Sequence, residues 1–258
     1  PNVRTPKRVL VVMAGNIPLV GFFDLLCVLA SGHACRVKPS SKDTVLIGYV
    51  IDLLRTIDPA IPLRMAEQGE RPDAVIATGS DNANRYFRML FGGIPSLLRG
   101  SRQSVAVLSG RETAAELSGL EEDIFAYSGL GCRNVSLLFL PRGYMPELRC
   151  TALNEKYRRN YLRERALLRM RRMPFVDLDG AVLCEDRSFP AALSRIHYTF
   201  YDSLADVEAW LAAHDDRLQC VVSQCVRHSR RVAFGRAQHP GLTDYADDVD
   251  TMRFLGTI

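Results

Sequence analysis

The sequence predicts a doubly wound α/β fold, with strands and helices alternating along the chain. Three observations carry this. Short β-branched runs recur at Arg8 to Met13 (RVLVVM), Asp73 to Ala77 (DAVIA) and Ser104 to Leu108 (SVAVL), the pattern of parallel strands buried on both faces. Segments of helical apolar spacing separate them. Polar loops follow the first strands, where ligands of such sheets bind.

Each element has a local reason. Gly15-Asn16-Ile17-Pro18 breaks the first strand. Leu19 to Leu29 is apolar over a helical length and stops at Ser31-Gly32. Cys35 to Lys38 reads as a second strand. Ser40 to Asp43 caps a helix from Thr44 to Ile57, which ends before Asp58-Pro59. After the third strand, Thr78-Gly79-Ser80-Asp81 opens a helix running to about Leu90. The second half is less regular. Val135 to Leu140 is a strand closed by Pro141-Arg142-Gly143, and Asn154 to Arg172 is a long, arginine-rich helix. Arg195 to Tyr201 alternates like a strand, Ser203 opens a helix from Leu204 to Ala213, and Cys220 to Ser223 is a further strand. The tail from Asp244 to Ile258 is mixed. No internal repeat, low-complexity tract or clear linker is present. The change of pattern near Arg111 to Ile124 sets the expected domain boundary.

Composition narrows the class. At ~150 residues per domain, 258 residues imply one or two domains with a full core. A net charge of +4 suits anionic ligands but is too small to argue for nucleic acid. The seven cysteines, at 27, 35, 132, 150, 184, 220 and 225, form no CxxC pair and no zinc spacing. We therefore expect no metal and reduced thiols in a cytoplasmic protein. No apolar run reaches the length of a membrane span, and no signal peptide opens the chain. The chain starts at Pro1 rather than Met, as expected of a fragment or a trimmed protein.

Four loops concentrate the chemistry: Ala14-Gly15-Asn16-Ile17-Pro18, Lys38-Pro39-Ser40-Ser41, Ala77-Thr78-Gly79-Ser80, and Gly129-Leu130-Gly131-Cys132-Arg133-Asn134. Taken singly, each has an ordinary use: a turn, a solvated lysine, a helix cap, a buried structural thiol. The glycines do not form the GxGxxG fingerprint of a dinucleotide fold. Together and in this order, however, they resemble the aldehyde dehydrogenase superfamily, most closely its LuxC-type long-chain acyl-CoA reductases. The segments MAGNIPLVGFFDLLCVLASG, VKPSSKD, AVIATGSDNANRYF and LEEDIFAYSGLGCRNVSLLFLPRGY carry the likeness, as does the ending GRAQHPGLTDYADDVDTMRFL. It covers nearly the whole chain and is weakest from Met145 to Arg187.

The resemblance implies an aldehyde-dehydrogenase-like α/β fold. A Rossmann-like nicotinamide domain would span 1–124 and a catalytic domain 125–240, with a tail, 241–258, packing back on the fold or on a neighbour. It implies reduction of a fatty acyl-CoA or other acyl thioester to an aldehyde by NADPH. Cys132 matches the nucleophile, a thiolate that attacks the thioester and later leaves. Asn16 matches the asparagine that stabilises the tetrahedral oxyanion together with the Cys132 N–H. Lys38, with Ser40 nearby, matches the lysine at the adenosine ribose and 2′-phosphate. Gly79 and Ser80 match the helix start beneath the pyrophosphate. Glu185 loosely matches the glutamate at the nicotinamide ribose, although its spacing to Phe189 and Pro190 departs from the family pattern. The family works with an acyl-activating synthetase and commonly oligomerises. This chain is short for it, so a preceding segment is expected to be missing.

Where hydrolytic aldehyde dehydrogenases keep a water-activating glutamate, the stretch Ser96 to Gln103 (SLLRGSRQ) has no acid. Glu121, Glu122 and Asp123 read as an acidic cluster at a helix start. A hydrolytic NAD(P)-dependent dehydrogenase is one alternative. Another is a non-catalytic protein that uses Lys156, Arg158, Arg159, Arg163, Arg165, Arg169, Arg171 and Arg172 to bind nucleic acid or a partner. The plainer reading of that run is a solvated, ion-paired helix face, and no nucleic acid is expected.

Overall fold

A computed structural model describes residues 5–151 and 154–258, and it divides into two units. Unit 1 comprises residues up to Ser101 together with 249–258, and unit 2 comprises Arg102–Asp248. The division falls after Ser101, not at residue 124, and the end of the chain groups with unit 1.

Unit 1 holds β1 (Arg8–Val12), α1 (Phe22–Ala30), β2 (Ala34–Lys38), α2 (Thr44–Ile57), β3 (Leu63–Met65), β4 (Ala74–Thr78), α3 (Asp81–Phe91) and β5 (Ser96–Arg99). Its sheet has the order β3-β2-β1-β4-β5, and every pair is parallel. The strands alternate their side chains. Leu10, Val12, Val75 and Ala77 meet Phe87, Phe91 and Ile94 on the α3 side, while Val9, Val11, Cys35 and Val37 are also buried. β1, β2, β4 and all three helices follow local signals, with boundaries near those expected, whereas β3, three residues long, carries no strand pattern of its own. β5 does not look like a strand, because Ser96 and Arg99 interrupt its apolar run. Arg99 is nevertheless buried: one guanidinium nitrogen lies 2.6 Å from Asp24 Oδ2 on α1 and the other 2.7 Å from Thr251 Oγ1.

Unit 2 holds β6 (Gln103–Val107), α4 (Ala114–Phe125), β7 (Val135–Pro141), α5 (Glu155–Met170), β8 (Val176–Asp177), β9 (Val182–Glu185), β10 (Arg195–Tyr201), α6 (Leu204–Ala213), β11 (Leu218–Ser223) and β12 (Arg231–Val232). The order is β12-β11-β6-β7-β10-β9-β8, parallel except where β8 joins β9. The remaining helix, α7 (Thr251–Leu255), belongs to unit 1, where the Leu255 carbonyl meets His33 Nε2 at 3.0 Å. β6 pairs with both β7 and β11, which makes it an interior strand of the second sheet.

α4 corrects the reading of the acidic cluster. Thr113 caps this helix in a capping box with Glu116, so Glu121, Glu122 and Asp123 lie in its last turns, not at its start. Their partners offset the unfavourable end of the helix dipole. Glu121 accepts from the Arg149 N–H at 2.7 Å, and Asp123 accepts from the N–H groups of Gly235 and Ala237 at 2.7 and 2.9 Å. Asp123 is fully buried, and desolvation pushes its carboxyl up to about 6 against those two hydrogen bonds.

On α5 the arginines are largely ion-paired. Arg159 meets Glu155, Arg163 and Arg195 meet the buried Glu164, and Arg165 and Arg169 approach Asp177. Among the described residues, no helix is long and apolar enough to cross a membrane, and no group of His, Cys, Asp or Glu is arranged to hold a metal ion.

Candidate active site

In unit 1 the C-terminal ends of β1, β2 and β4 are neighbours, which gathers Asn16, Lys38, Ser40, Gly79 and Ser80 at one edge of the sheet. The Met13 N–H donates to the Lys38 carbonyl at 2.9 Å, so β1 and β2 leave the sheet together. Their loops are then pressed against each other. A Cβ at Gly15 would lie 2.2 Å from Ser40 Oγ, so only glycine allows this approach. Ser40 Oγ also accepts from the Lys42 N–H at 3.3 Å, so this side chain packs the two loops. Asn16 is exposed on the bend just after this contact. The far end of its loop is tied down by Asp43, the buried residue before α2, whose Oδ2 accepts from the Leu19 N–H at 2.6 Å.

Lys38 is exposed and lines a cleft of about 910 Å³ together with Leu10, Arg36, Ala66, Glu67 and Phe91. Arg36 is neutralised there by Glu70 at 2.9 Å. Ser80 caps α3 by accepting from the Ala83 N–H at 3.3 Å. The Gly79 N–H donates to the Arg99 carbonyl at 3.1 Å, which sets the turn between β4 and α3. Asp81 already places one anion in the first turn, and its Oδ1 accepts from the Ser101 N–H at 3.1 Å.

In unit 2 Cys132 occupies the turn between α4 and β7 and is the exposed member of the seven cysteines. The backbone leading to it is unusual. Tyr127, Ser128 and Gly129 take φ values of 52°, 55° and 64°, three left-handed residues in succession. Glycine suits position 129 because its φ is positive and a Cβ there would press on the Tyr157 ring at 3.3 Å. The Cys132 carbonyl accepts from Ser104 Oγ at 2.9 Å, and that hydroxyl in turn accepts from the Cys220 N–H at 3.2 Å.

The residue is exposed at its surface, yet its sulfur lies low among protein atoms, and this desolvation pushes the thiol up. The charge of Arg133 and the N–H groups of Cys132 and Arg133 pull it back down, and Asp247 pushes it up. The resting thiol is therefore protonated near neutral pH. A small open pocket of about 140 Å³ adjoins the loop, walled by Gly129, Gly131, Tyr157, Leu193 and Arg195.

Glu185 is not brought to Cys132. It ends β9 and is exposed, level with Tyr198 on β10 and so with Leu138 on β7. That is three residues beyond Val135, roughly 10 Å along the strand, whereas Cys132 precedes Val135. Asn134, Ser104 and Asp123 were not found from the sequence. Asn134 reads as an ordinary turn residue, and nothing local marks a serine at a strand start as a support for a loop 28 residues away.

Two parallel-sheet units, one with polar loops at its strand ends and one with an exposed cysteine on a strained turn, make up an aldehyde-dehydrogenase-like fold. Solved structures agree. An aldehyde dehydrogenase of Mycobacterium tuberculosis complexed with NAD+ superposes with a TM-score of 0.65 at 16% identity, covering 85% of this chain and 57% of that one. An NAD-dependent aldehyde dehydrogenase from Sinorhizobium meliloti gives 0.65 at 12% identity, covering 85% and 55%. An NAD+ complex of aldehyde dehydrogenase from Bacillus cereus gives 0.61 at 13%, covering 85% and 56%. This chain thus spans little more than half the length of these neighbours. By sequence it matches no family model and no curated protein.

Proposed function

We propose that this chain carries the nucleophile and the cofactor site of an NADPH-dependent acyl-CoA reductase of the aldehyde dehydrogenase superfamily. The observation that carries the reading is Cys132: an exposed cysteine on a strained turn in an aldehyde-dehydrogenase-like fold.

In this reading the Cys132 thiolate attacks the thioester carbonyl and the coenzyme A thiol leaves, giving an acyl-cysteine. A bound nicotinamide would supply the hydride that reduces the acyl carbon. The tetrahedral product then collapses, breaking its C–S bond, to release the aldehyde and the Cys132 thiolate. Asn16 takes the oxyanion role that the sequence resemblance implies. Lys38, at the mouth of its cleft, takes the phosphate side of NADPH, while Gly79 and Ser80 lie under the pyrophosphate. Ser40 contributes by holding the Lys38 loop against Gly15. An acyl-activating synthetase is the proposed source of the acyl group, and self-association is the proposed assembly. The ion pairs along α5 favour the plain reading of its arginines over nucleic-acid binding.

The test is aldehyde formation from acyl-CoAs of several lengths with NADPH. Asn16→Ala is expected to lower turnover by ~10²–10³-fold, the usual loss for one oxyanion donor, with cofactor affinity unchanged. Lys38→Ala is expected to weaken NADPH binding and to narrow any preference over NADH, with kcat largely kept. Full turnover in Asn16→Ala would remove that residue from the mechanism.

A further inference from the structure

We propose that Asn134 is the positioning residue of the Cys132 loop, holding the end of α4 and the Gly131 N–H in one side chain. The inference rests on reading Cys132 as the nucleophile.

Asn134 is buried, and its amide is used on both sides. Oδ1 accepts from the Gly131 N–H at 2.8 Å. Nδ2 faces three carbonyls, those of Asp123, Ile124 and Ala126, at 3.2, 3.1 and 2.9 Å. Its own backbone N–H donates to the Gly131 carbonyl at 3.2 Å, closing the turn around Cys132. The helix end at Phe125 is thereby joined to the residue just before the cysteine, across the left-handed run at 127–129.

That run needs a restraint. Left-handed backbone is disfavoured for Tyr127 and Ser128, and it persists only where surrounding structure over-determines it. Tyr127 is exposed, so packing does not hold its side chain, and its carbonyl accepts only from within the turn, from the Leu130 N–H at 3.3 Å. Ser128 Oγ accepts from the Asn154 N–H at 3.2 Å, a single exposed bond. Asn134 is the buried group that spans both ends of the strained segment.

The residue type follows from the donor and acceptor inventory. Aspartate has the shape but no donors for the three carbonyls. Serine supplies one donor and reaches less far, and glutamine is one methylene too long. Once the loop is set, Ser104 Oγ holds the Cys132 carbonyl at 2.9 Å, and the backbone N–H groups of Cys132 and Arg133 favour the thiolate.

The test reads the thiol directly, so it does not depend on the cofactor or on any acyl donor. Iodoacetamide labelling of Cys132 is followed by peptide mass as a function of pH. Asn134→Ala is expected to slow labelling about tenfold at neutral pH, the equivalent of one unit in the thiol titration. Adding Tyr127→Gly, which makes one left-handed position easy, is expected to recover part of that loss. Leu211→Ala opens a cavity in α6, away from the loop, and controls for general destabilisation. It should lower the melting temperature without moving the labelling profile. Unchanged labelling in Asn134→Ala overturns the proposal, as does a shift equal to that in Leu211→Ala. If Asn134→Ala and the double variant both fail to fold while Leu211→Ala folds, the proposal is also overturned, because Asn134 then serves the fold as a whole. If labelling follows the proposal but aldehyde formation is absent, the positioning role stands and the reductase reading falls.

Discussion

Incubated with a fatty acyl-CoA and no nicotinamide, the protein is expected to gain one acyl group, on Cys132, and Cys132→Ala none. Aldehyde formation in that variant should fall by on the order of 10³-fold or more, as when any covalent nucleophile is removed. The other thiols are poor rivals. Cys27, Cys35, Cys184 and Cys220 are buried, and burial pushes Cys27 and Cys220 to about 11 and Cys35 to about 12. Cys150, half-buried, is also pushed to about 11. Intact mass followed by peptide mapping reads the site, and an adduct on Cys150 or Cys225 would overturn the assignment. The fate of the acyl group then separates reductase from hydrolase. Water must be activated by a base, usually a carboxylate. The end of β5 supplies none, and Asp123 is sealed against Gly235 and Ala237. The acyl-enzyme should persist until NADPH or a thiol arrives. Rapid release of free fatty acid without either would favour the hydrolytic reading.

Arg99→Ala is expected to destabilise unit 1 by about 3–5 kcal/mol, the usual cost of leaving one member of a buried ion pair alone. Asp24 and Arg99 are both buried, so the orphaned carboxylate has little access to water. The variant also loses the bond to Thr251 that fastens α7. Hydrogen exchange of α1 and α7 amides in the full chain is the measurement. Tryptophan fluorescence is unsuitable because the single tryptophan, Trp210, lies in unit 2. Replacing both partners, as in Asp24→Leu with Arg99→Met, should recover much of the loss, since neither buried charge remains. Loss of less than ~1 kcal/mol in Arg99→Ala, the range of an exposed pair, would show that the pair is solvated. The same geometry predicts that Arg99→Glu does not create a hydrolase. It sets two carboxylates against each other in a buried site and is expected to unfold unit 1.

How far the fold can be read from the sequence depends on whether each signal is local. The helices at 44–57 and 204–213 were placed to the residue because their limits are local: a polar run or Ser203 before, Asp58-Pro59 or a change of pattern after. β1, β4 and β7 were legible because a strand buried on both faces must be apolar throughout, and β10 because its residues alternate. β5 was missed because an arginine inside a short run argues against burial, and its partner Asp24 is 75 residues away. α4 was missed because Ser118, Gly119 and three acids blur its periodicity. Gly119 is there to let the Gly235 backbone approach, and Asp123 to bind the same segment.

The candidate site divides along the same line. The identities of Cys132, Asn16, Lys38 and Gly79 lie in short segments that keep their order along the chain, so the sequence alone nominated them. It also settled that the chain is α/β, because apolar periodicity is a property of neighbouring residues. Only the tertiary structure decided that β6 belongs to the second sheet, since the three residues 100–102 between β5 and β6 leave no linker to notice. It alone separated Glu185 from Cys132 and left that cysteine exposed. Each of these depends on strand pairing or on side-chain reach between residues far apart in sequence. The path of the chain to Cys132 is the sharpest case. Three left-handed residues are unfavourable by themselves, and they exist here because Asn134, folded back from the start of β7, meets the carbonyls at the end of α4.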